Sequence, residues 1–354
     1  MVKVLEGLSS KTISAPMAST TNIPFRKICK RYGASILFSE MINSDTLVRG
    51  CNQTLRLAVF DEIERPIALQ ILGHDANTMA EAAKIIEGLK PDIIDINAGC
   101  PVQKINRYGS GASLLKDLNM LGLIVRAVVD AVRIPVSVKV RAGYTSKIIV
   151  KEVAKVVEDS GACFITVHAR TRIMPYSAPS NWDWILEAKK SVNIPVVGNG
   201  DIFYATDAYN MMDKTGCDYV SIARGALGNP WLFRDCNHYI KTRELLPQIT
   251  LDEKLSLILD HLAMSLKEYG EIFALKEMKK HICWYTRNLP DAEMFRESLF
   301  KVVSCSELKT VVQSYFEKIK NEFSDGYLEP KTEDKKFKDR VCFWLLDDAD
   351  LIEG

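Results

Sequence analysis

The sequence predicts a (β/α)8 TIM barrel followed by a C-terminal helical bundle. Three observations carry this reading. Eight short runs rich in Val and Ile are almost continuously apolar, as parallel strands covered on both faces are. Amphipathic helical segments separate them. Beyond Leu251 the strand-like runs stop and only helical periodicity remains.

The predicted strands are Ile13–Ala18, Ile36–Met41, Ile67–Leu72, Ile93–Ala98, Val136–Val140, Phe164–Ala169, Pro195–Gly200 and Tyr219–Ala223. Three follow a proline closely: Pro66, Pro91 and Pro135. Proline stops the preceding helix and presets an extended entry. Between strands, Asn77–Leu89 carries Met79, Ala82, Ala83, Ile86 and Leu89 at helical spacing, and Leu118–Val132 and Ile148–Ser160 behave alike. In the second half, Leu255, Leu257, Ile258, Leu262 and Leu266 mark one helix, and Ala274–Tyr285, Ala292–Val303 and Leu308–Phe323 mark three more. The expected division is a barrel over 1–245, a linker with Pro247, a helical unit over 251–323 and a C-terminal extension over 324–354. That extension is charged and ends in the apolar run Val341-Cys342-Phe343-Trp344-Leu345-Leu346.

Size and composition fit this division. A barrel of about 250 residues leaves room within 354 for a smaller unit. An apolar fraction of 47% suits a large buried core. No stretch approaches the roughly 20 apolar residues that span a bilayer. The start, Met1 to Gly7, lacks the apolar segment of a secretory signal, so a cytoplasmic location with no membrane association is expected. The nine cysteines are odd in number, widely spaced and never C-x-x-C, which argues against a disulfide scaffold or a metal site. Net charge is +1, split as +6 over residues 1–250 and −5 over 251–354. The first part can present a modest basic face, compatible with a nucleic acid.

In such a barrel the chemistry sits at the carboxyl ends of the strands. The residues collected there are Ala15-Pro16-Met17-Ala18, Ser39-Glu40-Met41, Gln70, Asn97 with Cys100, Lys139 with Arg141, His168 with Arg170 and Arg172, Asn199-Gly200-Asp201, and Ala223-Arg224-Gly225. Gly198, Gly200, Gly225 and Gly228 follow strands seven and eight, the usual phosphate cradle of these barrels; ordinary tight turns explain any one of them equally well. Lys139 lies inside an apolar run and needs a partner there, either a buried acid or an electron-rich cofactor edge. His168 alone reads as a core histidine; beside Lys139, Gln70 and Asn199 it reads as a cofactor neighbour. Asn97 and Arg141 can hydrogen-bond a planar, amide-like ring, and Cys100 can give it a proton. The combination points to flavin-supported hydride transfer onto a polarised ring.

Seven ordered motifs carry a resemblance. Ala15-Pro16-Met17, Ser39-Glu40-Met41, Asn97-Ala98-Gly99-Cys100-Pro101, Val138-Lys139-Val140-Arg141, His168-Ala169-Arg170-Thr171-Arg172, Gly198-Asn199-Gly200-Asp201 and Ala223-Arg224-Gly225 together resemble the signature of the tRNA-dihydrouridine synthases, in the bacterial B-type branch. The resemblance implies an FMN cofactor, NADPH as reductant and a uridine of the tRNA D-loop as target. The base leaves its stack to reach the flavin. Hydride passes from flavin N5 to uracil C6, and the thiol of Cys100 protonates C5. Pro16, Met17, Ala18, Gln70, Lys139, His168, Asn199, Gly200, Asp201, Ala223 and Arg224 would contact FMN. Asn97, Arg141 and Arg170 would face the uracil or nearby tRNA, and residues 251–323 would bind tRNA, helped by Lys276, Lys279 and Lys280. The loop Ala18-Ser19-Thr20-Thr21 departs from the family pattern, which more often has Gly and Asp there. Two alternatives remain at this point. One is a flavin barrel of the dihydroorotate dehydrogenase type acting on a free pyrimidine, which would need neither the helical unit nor the arginine set. The other is a tRNA-binding protein with vestigial chemistry, against which intact Cys100, Lys139 and Asn97 count.

Overall fold

The computed structural model describes residues 5 and 7–322. The extension expected over 324–354 lies outside the described residues. Eight parallel strands form the sheet: β1 (Thr12–Ser14), β2 (Leu37–Asn43), β3 (Ile67–Leu72), β4 (Ile93–Ala98), β5 (Val136–Arg141), β6 (Phe164–His168), β7 (Val196–Asn199) and β8 (Tyr219–Ile222). They follow one another in the order β1-β8-β7-β6-β5-β4-β3-β2. The ring closes between β1 and β2, where Ser35 N donates to Thr12 O (2.8 Å) and Ser14 N to Ile36 O (3.0 Å). The barrel and its C-terminal helices are therefore as predicted.

The helices of the barrel part are α1 (Ile23–Arg31), α2 (Ser44–Val48), α3 (Asn52–Leu57), α4 (Ala76–Gly88), α5 (Gln103–Arg107), α6 (Leu118–Ala131), α7 (Val150–Asp159), α8 (Asp183–Ser191), α9 (Ala205–Thr215) and α10 (Leu232–Thr242). Helix α4 buries Met79, Ala82, Ala83 and Ile86, the face its spacing picks out. β1 is shorter than expected. Pro16 has no N–H for the ladder, so the chain turns instead, and Thr20 N and Thr21 N both donate to Met17 O (3.2 and 3.0 Å). A small core of Ile13, Phe38, Ala68, Ile93, Phe164, Val197 and Tyr219 gathers residues from the starts of the strands. It plugs that end of the barrel and leaves the polar strand ends for a site.

Helices α11 (Leu251–Tyr269), α12 (Glu271–Tyr285), α13 (Ala292–Lys301) and α14 (Cys305–Glu322) complete the described chain. Thr250 starts α11 with a reciprocal cap: Glu253 N donates to its hydroxyl (3.2 Å) and Thr250 N to the Glu253 carboxylate (2.8 Å). The four helices share a core that includes Ile258, Met278, Leu299, Leu308 and Phe316. Ile28 and Trp231 of the barrel part belong to that same core, and Trp284 of α12 belongs to the barrel core. Gly228 (φ +69°) shows how close the two parts lie, because a Cβ there would stand 2.2 Å from Trp284 O.

Candidate active site

Register brings the predicted residues into rows across the barrel mouth. Gln70 pairs with Asp95 and Asp95 with Ser137; Asn97 pairs with Lys139; Arg141 pairs with His168 and His168 with Asn199. Alternate residues of a strand share a face, so Asp95 and Asn97 point the same way.

The first row is a hydrogen-bonded chain. Ser137 Oγ and Gln70 Nε2 each donate to Asp95 at 2.6 Å. Asn97 Nδ2 donates to Gln70 Oε1 at 2.8 Å. Asn97 Oδ1 accepts Gly99 N (3.1 Å) and Cys100 N (2.9 Å). Asp95 is fully buried, and burial pushes its carboxyl up to about 6 against the opposing bonds from Gln70 and Ser137 and the charge of Lys139. Burial also raises the Cys100 thiol above its ordinary range, although the Val102 N–H, Arg141 and Lys139 favour the thiolate. Cys100 therefore carries its proton at neutral pH.

Lys139 Nζ reaches across to Asn199 Oδ1 at 3.1 Å. Burial and Arg141 push it down to about 8, partly offset by Asp95. The buried acid that one sequence reading called for lies near, yet the direct bond of Lys139 is to the amide of Asn199. Arg141 is 1% exposed, with Nε on Gly99 O (3.0 Å) and Nη1 on Thr171 O (2.8 Å). Its Nη2 is buried and has no hydrogen-bond partner among the described residues. A buried donor of this kind costs free energy until a ligand acceptor meets it.

Arg170 sits deeper. Its Nε bonds Ala178 O (2.9 Å), its Nη1 bonds His168 Nε2 (3.1 Å), and its Nη2 bonds both oxygens of Asp201 (2.8 Å). Guanidinium only donates, so His168 Nε2 accepts and the ring proton is on Nδ1. Burial, then Arg141 and Lys139, hold His168 well below its usual range, so it is neutral. Asp201 also takes Arg224 Nη2 (3.1 Å) and Ser180 N (2.8 Å). Burial opposes its charge, but Arg170, the Ser180 N–H and Arg224 together outweigh burial and hold its carboxyl below the ordinary range.

Two participants were not singled out from sequence. Asp95 is one; its signal was an acid two residues before Asn97 within an apolar run. The other is Tyr176, whose ring stacks on His168 (6.0 Å) and lies under the Arg141 and Arg224 guanidinium groups (5.2 and 5.0 Å). Three of the four glycines read as a phosphate cradle have another explanation. A Cβ at Gly198 would meet Met211 Sδ at 2.5 Å, at Gly225 Ile202 O at 2.0 Å, and at Gly228 the Trp284 carbonyl, so all three serve close packing. Gly200 keeps φ +127°, which L side chains rarely adopt. The expected lysine patch also shrinks. Lys279 caps α13 through Phe300 O and Val302 O (3.2 and 2.7 Å), and Lys280 bonds Ser19 O and Glu277 (2.5 and 3.1 Å), leaving Lys276 exposed.

The floor thus presents Lys139, Arg141, Arg170 and Arg224 against Asp95 and Asp201. An excess of buried cation around neutral amides suits an anionic, hydrogen-bonding planar group.

Residues 13–324 match the profile of the family described as Dihydrouridine synthase (Dus). The chain belongs to the dihydrouridine synthase family. It is 39% identical over 291 residues to the probable tRNA-dihydrouridine synthase of Rickettsia conorii, covering 82% of this chain and 88% of that one. It is 36% identical over 315 residues to tRNA-dihydrouridine synthase B of Pseudomonas aeruginosa, covering 89% and 95%, and 37% identical over 314 residues to that of Serratia marcescens, covering 88% and 94%. Dihydrouridine synthases are flavin-dependent, tRNA-modifying oxidoreductases. Among the described residues no cluster of three or more His, Cys, Asp or Glu could hold a metal ion, and no helix is long and apolar enough to cross a membrane.

Proposed function

We propose that this tRNA-dihydrouridine synthase holds FMN at the strand ends, draws its electrons from NADPH and uses Cys100 as the proton donor to a D-loop uridine. The unpartnered Arg141 Nη2, buried beside the Asn97–Cys100 turn, carries the reading. A carbonyl oxygen of a flat ligand would give this donor an acceptor.

Lys139, Gln70, His168 and Asn199 would hold the ring of the cofactor, with Pro16, Met17 and Ala18 from the first loop. Gly200, Asp201, Ala223 and Arg224 would hold its phosphate end. A reduced flavin bound there would supply the hydride for uracil C6. Lys139 would offer its positive charge to the electron-rich edge of that ring. Neutral His168 accepts from Arg170 and keeps Nδ1–H as a donor. Arg170 and Asp201 hold the loops after β6 and β7 together, so we assign Arg170 to positioning the site rather than to touching uracil. Asn97 and Arg141 face the uracil edge. Cys100 holds a proton at Sγ, and once it is given up the thiolate lies near Arg141 and Lys139. Residues 251–323 and the barrel rim would carry the tRNA, with Lys276 as the exposed lysine of α12. Cys100→Ala tests the reading: the variant should bind FMN normally and lose dihydrouridine formation by about 10²–10⁴-fold, the worth of a positioned general acid. Near wild-type formation would remove the proton-donor role.

A further inference from the structure

The chain from Ser137 to Cys100 has a direction, and one residue sets it. Amide side chains can point either way, and Gln70 and Asn97 could flip together and keep the bond between them. A carboxylate only accepts. Asp95 therefore forces Gln70 to present Nε2 (2.6 Å), so Gln70 Oε1 faces Asn97 and accepts Nδ2 (2.8 Å). Asn97 Oδ1 is then left for the turn, where it takes the N–H groups of Gly99 and Cys100 (3.1 and 2.9 Å). With the pair flipped, Asn97 would aim N–H groups at N–H groups, and the turn would lose both bonds. Ser137 Oγ holds the other oxygen of Asp95 at 2.6 Å, so the carboxylate itself cannot swing.

We propose that Asp95 is a positioning residue that, through Gln70 and Asn97, sets the backbone at Cys100 and so the place of its thiol. The consequence for catalysis rests on the reading of Cys100 as proton donor; the positioning itself does not. The competing account is that Cys100 is held from its other side, where its carbonyl accepts Ala112 N (3.0 Å) and Asn106 Nδ2 (2.9 Å).

The substitutions separate charge from direction. In Asp95→Asn the new side chain can keep Oδ1 toward Gln70 and turn Nδ2 toward the Ser137 hydroxyl, which can accept. Asp95→Leu removes the directing acceptor. Gln70→Met cuts the chain one step later with Asp95 intact, and serves if the leucine variant does not fold. The assay is alkylation of the cofactor-free full-length protein, read cysteine by cysteine by peptide mass spectrometry. Asp95→Leu and Gln70→Met should label Cys100 about tenfold faster, the equivalent of one lost hydrogen bond. Cys29, Cys217 and Cys236, buried in the core, should stay protected. Asp95→Asn should label within about threefold of wild type, since its hydrogen bonds persist. In the loaded enzyme, Asp95→Leu should lower kcat on tRNA by about 10²-fold with KM little changed, as a misplaced reacting group does. Unchanged Cys100 labelling, equal acceleration of all cysteines, or an asparagine variant as affected as leucine would each overturn the proposal. The labelling needs neither cofactor nor tRNA, so it is decided separately from whether the protein makes dihydrouridine.

Discussion

Replacing Lys139 with methionine should make the cofactor-free protein more stable and the cofactor-bound protein weaker. Methionine keeps most of the length and removes the charge. In the structure the lysine is pushed from its usual 10.5 down to about 8, first by burial and then by Arg141. A folded-state value below the unfolded one means that the charged form opposes folding. That penalty is fully present below pH 8 and fades between about pH 8 and 10.5. Two and a half pH units correspond to about 3 kcal/mol. Asp95 loses a favourable neighbour in the variant, which returns part of the gain, so a net stabilisation of about 1–3 kcal/mol is expected at pH 7. The assay is denaturant unfolding of FMN-free wild type and Lys139→Met at pH 7 and again near pH 9.5. The difference should be larger at pH 7. In parallel, FMN retained after dialysis should fall by tenfold or more, the worth of roughly one charge-assisted contact. A variant that is less stable at both pH values and keeps its flavin would instead make Lys139 a packing residue with a well-satisfied charge.

Other outcomes follow from the same geometry. Arg141→Ala should remove the buried unpartnered donor and lower kcat/KM on tRNA by about 10²-fold, on the order of the loss of a charged hydrogen-bond donor, while FMN content stays high; equal loss of both would move Arg141 to the cofactor side. Asp201→Ala should destabilise by about 3–5 kcal/mol, because it strands Arg170 and Arg224 in a buried site; a small change in unfolding midpoint would contradict this. A chain ending at residue 245 should be poorly soluble, since Phe25, Ile28 and Trp231 lose their cover; a soluble, flavin-binding fragment would show that the barrel part stands alone.

Much of this was legible in the residues. Parallel strands buried on both faces leave an apolar run with a polar end, so β3 and β4 could be read to the residue and β5 to within one. The site followed because barrel topology gathers strand ends whatever their separation in sequence. Partnership was less legible. Arg141 and Arg170 look alike as strand-end arginines, and only the placement of Ala178, His168 and Asp201 shows that the second has partners for all its nitrogens, while the first keeps Nη2 without one among the described residues. Glycines speak ambiguously, because close backbone packing and ligand approach ask for the same missing Cβ; Gly228 lies against a helix more than fifty residues away in sequence. Tyr176 had no periodic signal, since it lies outside the strands and helices and its role comes from what it stacks on. The lysines of α12 were read as one patch, but two of them close contacts within the protein.

In the proposed reaction the site adds hydrogen across the C5–C6 bond of a tRNA uridine with Cys100 as the acid. The most direct measurement is mass spectrometry of tRNA incubated with purified, FMN-loaded protein and NADPH, wild type beside Cys100→Ala. One D-loop uridine should gain two hydrogens with wild type, and at most a trace of that product should form with the variant at equal flavin content. Unmodified tRNA with the wild type, or equal product with both proteins, would contradict it.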